Sequence, residues 1–125
     1  MAATPDYRPL TNEDALIVAM VGLGFEIHEP EKLSIPDQIR LFREAELVVG
    51  LGGAAFFNVV FCRPGTRVVS IESSTQFVDG HARLFASSGH RFAFVFGRQD
   101  ETDPQPVHKR WTIDVEGVVA IVKGL

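Results

Sequence analysis

Apolar and polar residues follow one another along the chain with recognisable periods, and the first long apolar run predicts a helix. Thr11 is followed three residues later by an acid, the spacing of a helix-capping box, and the stretch from Ala15 to Leu23 is almost wholly apolar. Gly24 stands where such a helix would end. We therefore expect a helix over residues 12–23. Because the stretch is apolar on nearly every face, we expect that helix to be buried.

A second capping box opens an amphipathic segment. Ser34 stands three residues before Asp37, and Ile35, Ile39 and Phe42 then recur at helical spacing. This pattern predicts a helix with one apolar face. Further helices are predicted from apolar runs bounded by glycine or proline, over residues 54–62, 73–88 and 115–122.

Short runs that are rich in β-branched residues or alternate apolar with polar predict strands over residues 25–28, 46–50, 67–72, 91–96 and 109–114. They alternate with the helices, which is the pattern of βαβ units. We therefore expect an α/β fold, a Rossmann-like parallel sheet with helices on both faces. Such a sheet normally opens with a strand, yet two prolines make the residues before Leu10 a poor one. The first strand is expected to be missing or a degenerate edge.

Composition limits the domain organisation and the class of partner. With 125 residues, 46% of them hydrophobic, the chain fits a single domain over residues 1–125, with a mobile surface loop over the polar, proline-containing segment 97–108. The net charge is −4 and no basic stripe is present, which argues against nucleic acid. The longest apolar run is far shorter than the ~20 residues of a membrane span, and no leader is recognisable, so we expect a cytoplasmic protein. Cys62 is expected to be a buried thiol.

The segment with the clearest chemistry lies between a predicted strand and a predicted helix. Gly50, Gly52 and Gly53 leave the backbone open to an anion there, as in a phosphate-binding loop. The spacing also satisfies the dinucleotide fingerprint, with Glu72 about 20 residues further on to bind a ribose. Two alternatives stay open: an NAD-type site, disfavoured because the fingerprint does not open the domain, and small residues selected only for packing.

Beyond this segment, short motifs run through the chain in a fixed order. They are Asn12-Glu13, Gly24-Phe25, Pro30-Glu31, Leu33-Ser34, Asp37-Gln38-Ile39, Gly50-x-Gly52-Gly53-Ala54, Asn58, Phe61, Pro64-Gly65, Ile71-Glu72, Gly89-His90-Arg91-Phe92 and Trp111-Thr112-Ile113-Asp114-Val115. In this series the chain resembles glycosyltransferase family 61 over about residues 8–122. Many ordered motifs are far more specific than one glycine pattern.

The resemblance implies the C-terminal, nucleotide-sugar-binding half of a two-domain GT-B enzyme. The donor it implies is a UDP-sugar used in glycan or capsular polysaccharide synthesis, with no metal or other cofactor. The binding residues it implies are Gly52, Gly53, Ala54, Asn58, Glu72 and Ser73. Backbone amides of Gly53 and Ala54 would face the diphosphate. Glu72 would bind the ribose, and Asn58 would bind a phosphate or tie down the loop.

Arg8, Asn12 and Glu13 are weaker candidates for contacts with the sugar or the cleft, and helix capping is the alternative role for this segment. His28, His81, His90 and His108 have no metal-site spacing, so we expect surface or packing roles for them. No residue can be named as the general base.

The chain departs from the family pattern at two points. Gly52 stands where the family has a histidine, and the N-terminal half of the family is not recognisable. We therefore expect a fragment that is inactive without its other half, and that associates with that half or with itself. Any membrane association would come through the missing segment. A nucleotide-binding remnant without turnover and a dinucleotide-dependent oxidoreductase domain are the rival functions.

Overall fold

The computed structural model describes residues 10–52, 54–74, 78–105 and 109–125. Its centre is a parallel sheet of three strands in the order β1 (Leu47–Leu51), β2 (Arg67–Glu72) and β3 (Arg91–Phe96). The mostly apolar runs that predicted these strands do form them, as is typical of a parallel sheet that packs against helices. In the register, Leu51 pairs with Ile71 and Glu72 pairs with Phe96. All three strands therefore end at the same edge of the sheet.

Helices surround this sheet: α1 (Glu13–Gly22), α2 (Ile35–Glu44), α3 (Val78–Ser87) and α4 (Val115–Gly124), with short 3₁₀ helices at Pro30–Lys32 and Ala54–Phe61. We call the second of these the 54–61 segment. It was predicted as a helix, and it takes the tighter 3₁₀ form. No helix of the described residues is long and apolar enough to cross a bilayer.

Two apolar clusters lie on opposite faces of the sheet, because successive strand residues point to opposite sides. Val69 and Ile71 belong to the cluster that contains α1 and α4, whereas Val68 belongs to the cluster that contains α2, α3 and the 54–61 segment. The predicted α/β class, a Rossmann-like parallel sheet with helices on both faces, is confirmed.

Side-chain caps fix the starts of α2 and α4. Ser34 Oγ accepts a hydrogen bond from the Asp37 amide at 3.2 Å, as the predicted capping box requires, and an Asp114 carboxylate oxygen accepts one from the Gly117 amide at 3.1 Å. These caps satisfy amide groups that the helix itself leaves without partners.

Helix α1 differs from the prediction in two ways. Its cap residue is Asn12, whose side chain makes no capping bond, so the predicted Thr11 box does not form. The helix is also not fully buried: Leu16 and Met20 are its buried residues, whereas Val18 is 72% exposed. A helix lying on a sheet buries one stripe at i, i+4 spacing, and an apolar composition on its other faces cannot change that geometry.

The strand predicted over residues 25–28 does not form. Phe25 and Ile27 pack against the core, but the segment makes no ladder with any described strand. Phe25, Glu26 and His28 line a cleft of about 150 Å³ together with residues of β1. A strand needs ladder hydrogen bonds to a neighbour, and within the described residues this segment makes none.

The C-terminal strand predicted over residues 109–114 is shorter than expected and belongs to a separate ribbon. β4 (Arg98–Gln99) pairs antiparallel with β5 (Trp111–Thr112), and Leu10 forms a single parallel bridge to Trp111. The residues before Leu10, where the first strand was expected to be missing or a degenerate edge, lie outside the described residues. The ribbon occupies part of the predicted 97–108 loop, and in the described part of that loop the Asp103 side chain is buried.

Candidate functional site

The predicted pair Gly52 and Glu72 meets at the edge where β1 and β2 end. Gly52 follows β1 directly, and its amide donates to the Ile71 carbonyl at 2.8 Å, one residue before Glu72. Because the strands are parallel, their carboxyl ends form one border, which is where open α/β sheets bind ligands. The structure therefore brings together two residues that lie twenty positions apart.

The Glu72 carboxylate is held by two side chains of the same chain. It is 3% exposed, and its Oε1 accepts a hydrogen bond from Ser70 Oγ at 2.9 Å and pairs with His81 Nδ1 at 2.5 Å. Ser70 and Glu72 alternate along β2, so both point to the face that α3 covers. A buried carboxylate needs such partners.

His81 is the site residue that sequence reasoning missed, because it was expected to have only a surface or packing role. A signal did exist: Ser70 and Glu72 are polar residues at alternate positions of an otherwise apolar strand. Two such groups on one buried face require a polar partner on the helix that covers it. His81, in the first half of α3, is that partner.

Both glycines of the fingerprint are explained by contacts within the chain. A β-carbon at position 50 would lie 2.5 Å from the Phe56 ring, and one at position 52 would lie 2.5 Å from the Glu72 carboxyl carbon. Real β-carbons do not approach other atoms so closely, so a larger residue at either position would force the neighbouring side chain to move. Since the Gly52 amide bonds to Ile71, a role for Gly52 in a phosphate site is limited to allowing close approach.

Asn58 ties the 54–61 segment to α2. Its amide donates to Gln38 Oε1 at 3.0 Å, and the Gln38 amide in turn donates to the Leu33 carbonyl at 3.1 Å. This contact joins the 54–61 segment to α2, and both roles predicted for Asn58, binding a phosphate and tying down the glycine loop, stay predictions.

Half-exposed aromatic rings border the site. Phe57, in the 54–61 segment, is 50% exposed, and its ring centroid lies 5.5 Å from that of His81. Phe96 is 45% exposed and pairs in register with Glu72. These two residues place apolar, planar surfaces around a polar centre, an arrangement suited to a ligand with both kinds of surface.

Asn12 is committed to a contact with the chain's C-terminal region. Its amide donates to the Ile113 carbonyl at 2.7 Å, and its carbonyl oxygen accepts from the Ile113 amide at 3.1 Å. The side chain therefore acts like one more strand residue beside β5. Neighbouring Glu13 is partly buried, and this burial raises the pKa of its carboxyl group.

The remaining candidate binding residues lie beside these elements or outside the described residues. Ala54 opens the 54–61 segment, and Ser73 follows β2 directly and is half-buried. Gly53, Arg8 and His108 lie outside the described residues.

The side chains of Cys62 and His90 are both buried. Cys62 is buried, and burial raises the pKa of its thiol to about 11, which matches the expected buried thiol. His90 Nε2 donates to the Val59 carbonyl at 2.7 Å. Within the described ranges, no group of three His, Cys, Asp or Glu side chains is placed to hold a metal ion.

Comparison with known proteins gives one match. The glycosyltransferase 61 family profile covers residues 4–69, more than half of the chain, including β1, Gly52 and Asn58. No curated protein and no solved structure gives a significant match. With the ordered motifs and the parallel α/β sheet, this match shows that the chain belongs to the glycosyltransferase 61 family.

Proposed function

We propose that this chain binds a nucleotide sugar, specifically a UDP-sugar, for glycan or capsular polysaccharide synthesis. The observation that carries the proposal is the meeting of Gly52 and the Glu72 carboxylate at the carboxyl edge of the sheet. In a glycosyltransferase, this edge is where the donor is expected, and a fixed carboxylate beside a glycine turn suits a ribose joined to a diphosphate.

Each part of the donor has a proposed counterpart at this edge. Backbone amides at Gly53 and Ala54 face the diphosphate, while Glu72 and Ser73 bind the ribose. Phe57 offers an exposed ring to the remaining apolar surface of the donor. Fixed backbone dipoles near the diphosphate stabilise the charge that develops when the sugar leaves, without a metal ion.

Calorimetric titration of the whole chain with UDP and with NADH tests this proposal. We expect UDP to bind more tightly, and we expect Glu72→Gln to weaken UDP binding by about 1.5–3 kcal/mol, the range for hydrogen bonds to a charged group. Glu116→Gln, at an exposed position on α4, is the matched control and should leave UDP binding unchanged. Gly53→Val should abolish binding by blocking the backbone from the diphosphate.

Two results would replace the proposal. Tighter binding of NADH than of UDP would favour the dinucleotide-dependent oxidoreductase. If neither Glu72→Gln nor Gly53→Val weakens UDP binding, UDP does not bind at this edge of the sheet.

Catalysis needs donor and acceptor enclosed together, and the family's N-terminal half supplies the other wall of the cleft in our proposal. Transfer is therefore expected only when that half is supplied as a separate polypeptide. A mixture that binds UDP without transferring sugar would instead support a nucleotide-binding module without turnover.

A further inference from the structure

The two oxygens of the Glu72 carboxylate have different environments. Oε1 is the oxygen bonded to Ser70 and His81, while Oε2 is the one nearer the Gly52 position. The pair of Glu72 and His81 is buried, with 3% and 7% of the two side chains exposed. In the bonds between described residues the carboxylate is therefore held through Oε1, and Oε2 is the oxygen that lies nearer the Gly52 backbone.

The imidazole of His81 is itself held by aromatic rings. Phe85 stacks on it with the planes 21° apart and the centroids 6.1 Å apart, and Phe57 meets it at 68°. These contacts restrict the ring to one orientation, in which Nδ1 faces Glu72. Since Phe57 is half exposed, a ligand at the sheet edge would touch the residue that covers His81.

We propose that His81 is a positioning residue for Glu72: it holds Oε1 so that Oε2 accepts the ribose hydroxyl groups of the nucleotide sugar. This inference rests on the proposed function. His81 fixes the orientation of the Glu72 carboxylate before the ligand binds. Less side-chain conformational entropy is therefore lost on binding. His81 also ties ribose recognition to α3, outside the matched residues 4–69.

An ion pair with a purely structural role would show the same contacts. The test must therefore measure how the protein recognises the ribose, and not its stability. UDP and 2′-deoxyUDP differ by one hydroxyl group, and their affinity ratio reports the bond to that group. Wild-type protein is expected to bind UDP at least about 10-fold more tightly than 2′-deoxyUDP, since one hydrogen bond to a charged group has that effect.

Three variants separate the roles. His81→Phe keeps a ring but removes the donor, and the affinity ratio should fall to about 1 because Glu72 loses its fixed orientation. His81→Asn places an amide N–H near the former Nδ1 position and should restore most of the ratio. Arg83→Ala, at an exposed position of the same helix, is the control and should keep the wild-type ratio.

Histidine-selective ¹⁵N labelling gives a second readout on the unchanged protein, which has four histidines. The His81 Nδ1 resonance should shift more with UDP than with 2′-deoxyUDP, and this measurement still decides the matter if His81→Phe does not fold. Wild-type protein that binds no UDP would overturn the proposed function. The positioning role alone would be overturned by either of two results. One is a His81→Phe protein that keeps the wild-type affinity ratio and only unfolds at a lower temperature. The other is a His81 resonance that shifts with neither ligand.

Discussion

Gly52 packs directly against the carboxylate of Glu72, since a β-carbon at position 52 would lie 2.5 Å from the carboxyl carbon of Glu72. A longer side chain at this position would have to displace the carboxylate from Ser70 and His81. In the resemblance, Gly52 stands where the family has a histidine. In this chain the glycine leaves room for a buried carboxylate.

We expect Gly52→Ala to destabilise the protein by about 1–3 kcal/mol, the usual cost of forcing an extra carbon into a packed site. Gly80→Ala is the control: that glycine lies in α3 with open space around it, so alanine should be neutral or stabilising by up to about 1 kcal/mol. Urea unfolding measures both. Equal stability of Gly52→Ala and wild type would show that Glu72 is free to move.

Asn12 and Ile113 allow a test that separates strand-like pairing from helix capping. Asn12→Ala leaves both backbone groups of Ile113 without their partner and should cost about 1–3 kcal/mol of unfolding free energy. Asn12→Asp can still accept a bond but cannot donate to the carbonyl, so it should also be destabilised. If capping were the role, aspartate would serve as well as asparagine, and wild-type stability of Asn12→Asp would contradict our interpretation.

The hydrogen bond between Asn58 and Gln38 predicts a coupling between two residues. Asn58→Ala and Gln38→Ala should each destabilise the protein, and the double variant should be more stable than additive losses predict, by about 0.5–1.5 kcal/mol. UDP affinity should change little in either single variant. A large loss of UDP affinity in Asn58→Ala alone would indicate that Asn58 binds a phosphate.

Asp103 makes the ribbon of β4 and β5 sensitive to acid. Its carboxylate accepts bonds from the backbone amides of Arg110 at 2.8 Å and Gln105 at 3.1 Å, and these bonds lower its pKa below the ordinary value for an aspartate. The unfolded chain therefore binds this proton more readily. The stability that Asp103 contributes is complete above the unfolded pKa and is lost as the pH falls through the lower, folded pKa.

Fluorescence of Trp111, the single tryptophan, measures this loss because it lies in β5 and is buried. Urea midpoints of the wild-type protein should fall below about pH 4. Asp103→Asn should be less stable at pH 7 and should fall less steeply in acid. A variant with the wild-type acid slope would show that other carboxylates cause it.

Local sequence patterns were sufficient for much of the fold. Ser34 and Asp37 lie three residues apart, so their capping bond depends on neighbours alone, and α2 formed as predicted. The runs of β1, β2 and β3 are short and mostly apolar, so they identified the strands of a parallel sheet that helices cover. The glycines after β1 and Glu72 at the end of β2 were found for the same reason, since each marks the end of a strand.

What remained was decided by contacts between segments that are remote in the chain. Asn12 and Ile113 are 101 positions apart, so no local pattern could show that the asparagine bonds to Ile113, the residue after β5, and does not cap its helix. Residues 25–28 alternate like a strand, but a strand needs a partner within hydrogen-bond distance, and no described strand pairs with them. Likewise, the partnership of His81 with Glu72 depends on which face of α3 packs on β2, and only the packed structure determines that face.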